Sequence, residues 1–361
     1  MEKKFINLLK NNKPICFNCE EYQYDFLKIN KDINFSSLDF EPDSSLNKFN
    51  TIVGKVENIR LLDELFWKHK NFTNIIIINS SKSTEIIEPN NKYQNTKLWD
   101  MIAYRAKDDI ECGGWYDSYN HQKFSKNEMS EFSDNVEKKL SPYINRNTTI
   151  LEIGCSSGLT MYQIADKVGK YIGTDFSQQM INRNLTKIKE KNINNIELFC
   201  VEANKIDSLN LKNVDIVIMN SVIQLFNGYH YFYNVLNKVS RLLHNKSIVF
   251  IGDVMDLEKK DDLISSILLY KNANINSSTK TDFSNDLFFS KDFFEDIEFD
   301  FPYIILDISD KIHSYKNELT EYRYDVILQY NKNTFQKNIT RVKNQYFFDI
   351  AKPTIGSVSV D

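Results

Sequence analysis

The first feature of the sequence that could do chemistry is a glycine-rich turn between an apolar strand and an apolar helix. An apolar run at 149–151 leads into Glu152-Ile153-Gly154-Cys155-Ser156-Ser157-Gly158, and a helix is predicted from Leu159. Glycines let the backbone turn sharply and approach a ligand, and the N–H groups at a helix start favour a carboxylate or phosphate. The turn therefore indicates a ligand site, although such a turn can also be purely structural.

An acidic residue at the end of the next strand is the second feature that could bind a ligand. The next strand, 171–174, delivers Asp175 at its carboxyl end, about 20 residues beyond the glycines, where an acid can accept from both hydroxyls of an adenosine ribose. A nicotinamide dinucleotide would need glycines where Ser156 and Leu159 stand. Glu152 would repel a pyrophosphate but suits the positive amino and sulfonium groups of S-adenosyl-L-methionine. That compound is the predicted cofactor.

The predicted cofactor contacts lie at the carboxyl ends of four strands. The third strand, 196–201, ends beside Glu202 and Ala203, which could accept from the adenine amino group, although Glu202 can equally be a solvated loop acid. The predicted cofactor-binding residues are Glu152, Gly154, Cys155, Ser156, Gly158, Asp175, Phe176, Met180, Glu202, Ala203, Asn220 and Ser221.

The acceptor pocket is predicted beyond the fourth strand, 214–219, which ends in a polar and aromatic run at 220–226. In open α/β sheets, ligands meet at this edge, near the change in strand direction. Asn220 and Gln224 are expected to orient the acceptor, Tyr119 to form a wall or hydrogen-bond partner, and Asp253 to act as a base or a structural acid. Transfer from a sulfonium mainly needs alignment; an amine must be neutral, and a hydroxyl or acidic carbon needs a stronger base.

No metal site is predicted. Cys16 and Cys19 are spaced like half a zinc site, but no second close Cys or His pair completes four ligands. His230 begins an amphipathic helix, and a lone histidine there is more often packed or solvated than catalytic. His313 is assigned no role.

The elements that must position these residues alternate between strand and helix, which predicts a parallel sheet with helical crossovers. Predicted strands lie at 149–153, 170–174, 196–201, 214–219 and 247–253, with an antiparallel pair at 304–308 and 325–330, and predicted helices at 158–168, 177–190 and 228–243. The predicted fold is α/β and Rossmann-like, with a mostly parallel seven-stranded sheet.

A smaller unit is predicted before that sheet. Residues 56–70 carry Ile59, Leu62, Leu65 and Phe66 at helical spacing, the strand-like 74–79 follows, and the polar 80–96 is typical of a linker. The predicted domains are a small α/β appendage over 1–95, the cofactor-binding domain over 96–335 and a C-terminal extension over 336–361.

Composition narrows the classes of partner. The net charge is −4, with Lys+Arg 45 against Asp+Glu 49, and the basic residues are scattered, so nucleic acid is not expected. No window approaches the roughly 20 apolar residues of a membrane span, and 1–14 lacks a signal-like apolar stretch. A cytoplasmic protein without a membrane partner is expected.

Several motifs resemble one family, the methyltransferase domains inserted in nonribosomal peptide synthetases, which are mostly N-methyltransferases. The resemblance covers about 113–330. Besides the turn at 151–158 and the strand at 171–177, it rests on 114–119 with Glu128-Met129, on 220–226, on 250–254, and on Asn317-Glu318-Leu319 before Tyr322-Arg323-Tyr324-Asp325-Val326. The last three of these motifs are the most specific.

The resemblance implies methyl transfer to an amino-acid-derived small molecule or carrier-tethered intermediate, most often on nitrogen, in peptide natural-product biosynthesis, with a biosynthetic partner protein. Residues 54–57, 61–69 and 75–78 resemble the adenylation segment that precedes such an insertion. Amino-acid activation is not expected, since the rest of that domain is absent.

The sequence departs from the family at Ser156, usually glycine, at Leu225, often tyrosine, and at Asn227, often proline. The alternatives are an O-, S- or C-methyltransferase of a small metabolite, and a noncatalytic cofactor-fold protein supporting a biosynthetic assembly.

Overall fold

In the computed structural model of the chain, strands and helices alternate along most of the sequence, and the described residues are 3–37, 44–79, 88–301, 304–331 and 343–349. They divide into two compact units. Of the described residues, the first takes in 3–37, 44–79, 88–89, 228–230 and 343–349, and the second 90–227, 231–301 and 304–331.

The strands of the described residues are β1 (Pro14–Phe17), β2 (Asn34–Ser36), β3 (Thr51–Lys55), β4 (Asn74–Asn79), β5 (Thr149–Ile153), β6 (Lys170–Asp175), β7 (Ile196–Cys200), β8 (Val214–Asn220), β9 (Leu243–Met255), β10 (Ile304–Asp310), β11 (Arg323–Tyr330) and β12 (Asn344–Asp349). The α-helices are α1 (Lys3–Asn11), α2 (Gln23–Ile29), α3 (Ile59–Lys68), α4 (Thr96–Arg105), α5 (Asp109–Cys112), α6 (Lys126–Leu140), α7 (Leu159–Ile164), α8 (Gln178–Glu190), α9 (Tyr229–Ser240), α10 (Lys260–Ala273), α11 (Lys291–Asp300) and α12 (Glu318–Glu321). None of these described helices is long and apolar enough to cross a bilayer.

The second unit is built on a seven-stranded sheet with the order β10-β11-β9-β8-β5-β6-β7. The pairs β8–β9, β5–β8, β5–β6 and β6–β7 are parallel, while β11 is antiparallel to both β9 and β10. The predicted seven-stranded, mostly parallel sheet is confirmed. Strand order reverses at β5, beside β8, so the carboxyl ends of β5 and β8 border the crevice where this fold binds ligands.

Most predicted elements of this unit agree closely with the structure. The predicted strand 149–153 is β5, and the predicted helix 177–190 is α8 from residue 178. The predicted helix 158–168 is shorter, because α7 ends at Ile164 and tightens into a 3₁₀ turn over Ala165–Lys167. The predicted helix 228–243 ends at Ser240 because β9 begins at Leu243, earlier than predicted. Its apolar face, with Phe232 and Val239 fully buried, belongs to the core as expected.

The first unit has its own parallel sheet of five strands, ordered β12-β4-β3-β1-β2. The predicted strand 74–79 is β4, and the predicted helix 56–70 is α3 preceded by a 3₁₀ turn over Val56–Asn58. One side of the sheet packs on a core that includes Phe5, Phe26 and Ile76. Sequence reasoning missed β1, β2 and β3, which are short.

The described part of the predicted C-terminal extension, 343–349, is not a separate segment. Its strand β12 pairs in parallel with β4, from Asn344 beside Asn74 onward. Lys343 Nζ also donates to the backbone carbonyls of Phe66, His69 and Phe72. The extension therefore completes the edge of the first unit's sheet.

The boundary between the units also differs from the prediction at 95. Asn91 Nδ2 donates to the carbonyls of Phe226 and Asn285, at 2.8 and 2.7 Å, and Gln94 Nε2 donates to Leu225 O at 3.1 Å. These bonds tie residues 90–95 to the second unit. Of the predicted linker 80–96, residues 80–87 lie outside the described residues.

Candidate active site

The glycine-rich turn follows β5 with left-handed backbone at three positions: Gly154, Ser156 and Gly158 have φ of +77°, +46° and +86°. A Cβ on Gly154 would lie 2.7 Å from Val222 Cγ2, and one on Gly158 would lie 2.6 Å from the Tyr162 ring. Both glycines are required by space as well as by φ. The turn is therefore held close to β8 and α7 in one conformation.

Ser156, where the resembled family has glycine, adopts left-handed backbone that a serine side chain disfavours. Asn184 Nδ2 donates to the Ser156 carbonyl at 2.7 Å. The Ser156 N–H donates to Asp175 Oδ2 at 3.0 Å. These two hydrogen bonds hold the strained residue in place.

Asp175 ends β6 and faces the turn. Its Oδ1 accepts from the Ser177 N–H at 2.9 Å, while its Oδ2 accepts from Ser156. Burial raises the pKa of this carboxyl to about 6, although the hydrogen bonds from the backbone oppose the rise. Asp175 is thus ionised at neutral pH and fixed at the edge of the cleft.

A cavity of about 660 Å³ opens at this edge of the sheet. It contains eight of the predicted cofactor-binding residues, namely Gly154, Ser156, Asp175, Phe176, Glu202, Ala203, Asn220 and Ser221. All of its lining residues belong to the second unit, between Tyr93 and Arg323. The strand ends converge on one cleft as the sequence indicated.

Four predicted cofactor contacts do not line the cavity. Glu152 is 3% exposed and accepts from Tyr171 Oη at 2.9 Å, so its carboxyl group is buried against Tyr171. Burial raises the pKa of Glu152 to about 8, against the lowering effect of that bond. Glu152 therefore does not line the cavity, and its interaction with the positive groups of the cofactor stays a prediction.

The other three residues that do not line the cavity are Cys155, Gly158 and Met180. Cys155 is buried, and Gly158 begins α7 with its backbone. Met180 is buried and packs on Cys112, whose Sγ lies 3.3 Å from its Sδ. None of the three lines the cavity, so cofactor contact at these positions, through the backbone in the case of Gly158, stays a prediction.

Two predicted acceptor residues line the cavity with unused polar atoms. Gln224 Nε2 donates to Ser221 Oγ at 2.7 Å, and Asn220 Nδ2 donates to Thr160 Oγ1 at 3.1 Å. Within the described part of the chain, Gln224 Oε1 and Asn220 Oδ1 are buried without a hydrogen-bond partner, as is Ser156 Oγ. A buried acceptor without a donor is costly, so a ligand that donates to Gln224 Oε1 would be stabilised, whereas Asn220 Oδ1 lies close against Gly252.

Tyr119 and Asp253 lie outside the cavity lining. Tyr119 Oη lies 2.9 Å from Ser266 Oγ, and its ring packs edge-on against Tyr270. Its neighbours Asp117 and Ser118 line the cavity instead. The prediction that Tyr119 forms the acceptor pocket is corrected, because its side chain is directed to α10.

Asp253 is fully buried, and its carboxylate binds Lys311 Nζ at 3.3 Å and the Arg323 guanidinium. It is therefore the structural acid of the two predicted roles, not a base exposed to substrate. Arg323 itself lines the cavity.

Sequence reasoning assigned no role to the charged residues of the acceptor side. Lys280 and Asp286 form an ion pair at 2.9 Å, and both line the cavity together with Glu318 and Arg323. The resembled motifs at 317–319 and 322–326 contained Glu318 and Arg323 and could have indicated them. Lys280 and Asp286 lie in a loop without a motif.

Possible metal ligands occur in the first unit. Among the described residues, Asp63, Glu88 and His230 offer ligand atoms within 4.8 Å of one another, and His230 Nε2 lies 3.2 Å from Asp63 Oδ2. Burial opposes protonation of His230, but the Asp63 and Glu88 carboxylates outweigh it and raise its pKa. None of the three lines the cavity, so His230 is a packed histidine near an acid.

Comparison with known proteins adds to this geometry. A family model described as "Methyltransferase domain" matches residues 144–325, half of the chain. Chondramide synthase of Chondromyces crocatus is 27% identical over 226 residues, 60% of this chain and 6% of the relative. A probable non-canonical nonribosomal peptide synthetase, CymA, of Salinispora arenicola is 29% identical over 227 residues, 60% of this chain and 3% of the relative. The chain thus spans a small fraction of these relatives' length.

Solved structures align at low identity. The N-methyltransferase NodS of Bradyrhizobium japonicum, in complex with S-adenosyl-L-homocysteine, is 10% identical with a TM-score of 0.45, covering 66% of this chain and 99% of that one. A putative S-adenosyl-L-methionine-dependent methyltransferase of Methanococcus maripaludis is 14% identical with a TM-score of 0.39, covering 70% and 99%.

Proposed function

The chain belongs to the methyltransferase domain family, and from that premise we propose that it methylates the nitrogen of an amino-acid-derived acceptor. It is an S-adenosylmethionine-dependent methyltransferase, related to the methyltransferase domains of nonribosomal peptide synthetases. Nitrogen as the acceptor atom, and an acceptor that is free or tethered to a carrier protein, are the proposed part.

The residues of the cleft fit S-adenosylmethionine. Asp175 offers an ionised carboxylate for the ribose hydroxyls, and the turn at Gly154 brings backbone close without a side chain. The buried Oγ of Ser156 has no hydrogen-bond partner among the described residues and can bond to a ligand in the cleft. When bound, the cofactor supplies a methyl group on a positively charged sulfur, already activated for displacement.

The work left to the chain is alignment and the exclusion of water. One observation carries the assignment to nitrogen: Gln224 Oε1 is a buried acceptor without a donor among the described residues, in the cavity just past β8. An amine N–H can donate to it, which would orient the nitrogen lone pair toward the methyl group. Two nearly buried acids, Asp286 and Glu318, line the same cavity together with two cations, Lys280 and Arg323. The lining therefore offers charged groups of both signs to an acceptor.

The relatives support an amino-acid-derived acceptor, since several are described as nonribosomal peptide synthetases. Amino acids, both free and linked to a carrier protein as thioesters, are therefore the acceptors to test.

The first unit is proposed to take no part in methyl transfer, because all cavity-lining residues lie in the second. Residues 90–337 expressed alone should bind S-adenosylhomocysteine. A folded fragment that binds none would show that the first unit is needed for the site.

The decisive assay incubates the full chain with S-adenosylmethionine and a panel of amino acids, offered free and as thioesters on a carrier protein. Mass spectrometry detects the methylated product and NMR assigns the methylated atom. A methyl on nitrogen supports the proposal; a methyl found only on oxygen, sulfur or carbon refutes the nitrogen assignment while leaving methyl transfer intact.

A further inference from the structure

An acid and a guanidinium lie together on the acceptor side of the cavity. Glu318 begins the one-turn helix α12 and is 5% exposed, and its Oε1 accepts from the Ser118 N–H at 3.1 Å. Arg323 begins β11 directly after that helix. Both residues line the cavity. The short α12 thus brings both groups to one wall.

Arg323 is held there by a buried network of charges. Its guanidinium binds Asp253, and Asp253 also binds Lys311 at 3.3 Å. Lys311 bridges to Asp325 at 3.2 Å, and Lys139 reaches Asp325 at 2.8 Å. Since these partners are buried, the guanidinium has little freedom to leave the cavity wall. The network explains the burial of Asp253 better than a role in proton transfer.

Glu318 is shielded on its other sides. Among the described residues, Arg323 of β11, Lys280 of the loop before α11 and Tyr119 of the segment before α6 interact electrostatically with it. Burial raises the pKa of Glu318, and the two cations and the bond from Ser118 only partly offset the rise. A carboxylate with a raised pKa is a stronger base than an ordinary glutamate.

We propose that Glu318 binds the acceptor amine and removes its proton, while Arg323 binds the carbonyl or carboxylate oxygen next to that amine. This inference rests on nitrogen being the acceptor atom. Within the proposed amino-acid-derived acceptor, it assigns one side chain to the amine and one to the adjacent carbonyl.

The proton step balances within these groups. An ammonium nitrogen gives one proton to a Glu318 carboxylate oxygen, the N–H electron pair stays on nitrogen as its lone pair, and Glu318 becomes a neutral acid. Gln224 Oε1 accepts a remaining N–H, which fixes the direction of the lone pair. Glu318 later returns the proton to solvent. No electron is exchanged and no further reagent is needed.

The test compares Glu318→Gln with Glu321→Gln, which changes the other end of the same short helix at a half-exposed position outside the cavity lining. Affinity for S-adenosylhomocysteine, measured by calorimetry, should stay within about twofold in both variants. With the acceptor panel, Glu318→Gln should lower kcat/KM by about 100-fold or more at neutral pH, as expected for loss of a general base. Glu321→Gln should match the unchanged chain.

The pH profile separates chemistry from folding. In the unchanged chain, kcat/KM should fall as the pH drops through the raised pKa of Glu318. In Glu318→Gln, activity should instead climb with pH as the acceptor amine, with a pKa of about 8, loses its proton in solution. Arg323→Lys should raise KM for the α-amino acyl acceptor and leave affinity for S-adenosylhomocysteine unchanged.

Each outcome decides between the claims. An amine that is methylated equally well by Glu318→Gln, with the same pH profile, overturns the role of Glu318 and leaves nitrogen methylation standing. Equal activity of the unchanged chain on simple alkylamines and α-amino acyl compounds overturns the role of Arg323. Methylation only at another element refutes the nitrogen assignment, and the inference with it.

Discussion

Ser156 and Asp175 are joined by a hydrogen bond from the Ser156 N–H to Asp175 Oδ2, 3.0 Å long, across the gap between the glycine-rich turn and the next strand. The bond links the two sequence features from which the cofactor was predicted. It also couples the shape of the turn to the ionised state of the acid.

Asp175→Ala should weaken binding of S-adenosylhomocysteine by about 1 to 3 kcal/mol, because it removes charge-assisted hydrogen bonds to the ribose and the anchor of the turn. Isothermal calorimetry measures the loss. Glu197→Gln, on the exposed face of β7, is the matched control and should bind normally. Unchanged affinity in Asp175→Ala would show that Asp175 does not bind the cofactor.

Cofactor affinity should depend on pH through Asp175. Its pKa of about 6 lies above the ordinary value of 3.8, because burial disfavours the charge. The ribose hydroxyls donate to the ionised form, so affinity should be full above pH 6 and fall toward tenfold per pH unit below it. Titrations of the cofactor between about pH 5 and 7.5 measure the fall. In Asp175→Asn the slope should disappear; a slope that persists would assign it to another group.

Gln224→Ala should lower kcat at least about tenfold while affinity for the cofactor stays within about twofold, because the side chain aligns the acceptor. Steady-state kinetics with the accepted amine and calorimetry with S-adenosylhomocysteine separate the two effects. Equal losses in both would place Gln224 in the cofactor site.

Tyr119→Phe should leave kcat and KM within about twofold of the unchanged chain, since the hydroxyl interacts with Ser266 outside the cavity lining. Loss of that hydrogen bond should cost about 1 kcal/mol of unfolding free energy. Denaturant titration and steady-state kinetics check both numbers. A large fall in kcat would instead show that the Tyr119 hydroxyl contributes to the acceptor pocket.

The strands, the turn and the strand-end acid were predictable because parallel strands present their carboxyl ends at one edge, so position along the chain gives position at the cleft. The direction of individual side chains was not predictable from position along the chain. Glu152 lies one residue before the end of β5 and is buried with its carboxyl group bonded to Tyr171. Tyr119 lies in a segment with no periodicity that could indicate the direction of its side chain.

Contacts between residues that are far apart in the sequence could not be predicted, for a different reason. The pairing of Asn344 with Asn74 depends on the folded sheet, and no local pattern connects strands so far apart. The charges around Arg323 likewise come from β9, β11, α6 and the residue after β10. Their assembly became visible only in the structure.

The most direct test of the cofactor site is a calorimetric titration of the full chain with S-adenosylhomocysteine and, separately, with NAD. The cleft around Asp175 should bind S-adenosylhomocysteine with one site per chain and leave NAD unbound. Tight binding of NAD, with no binding of S-adenosylmethionine or S-adenosylhomocysteine, would contradict the account.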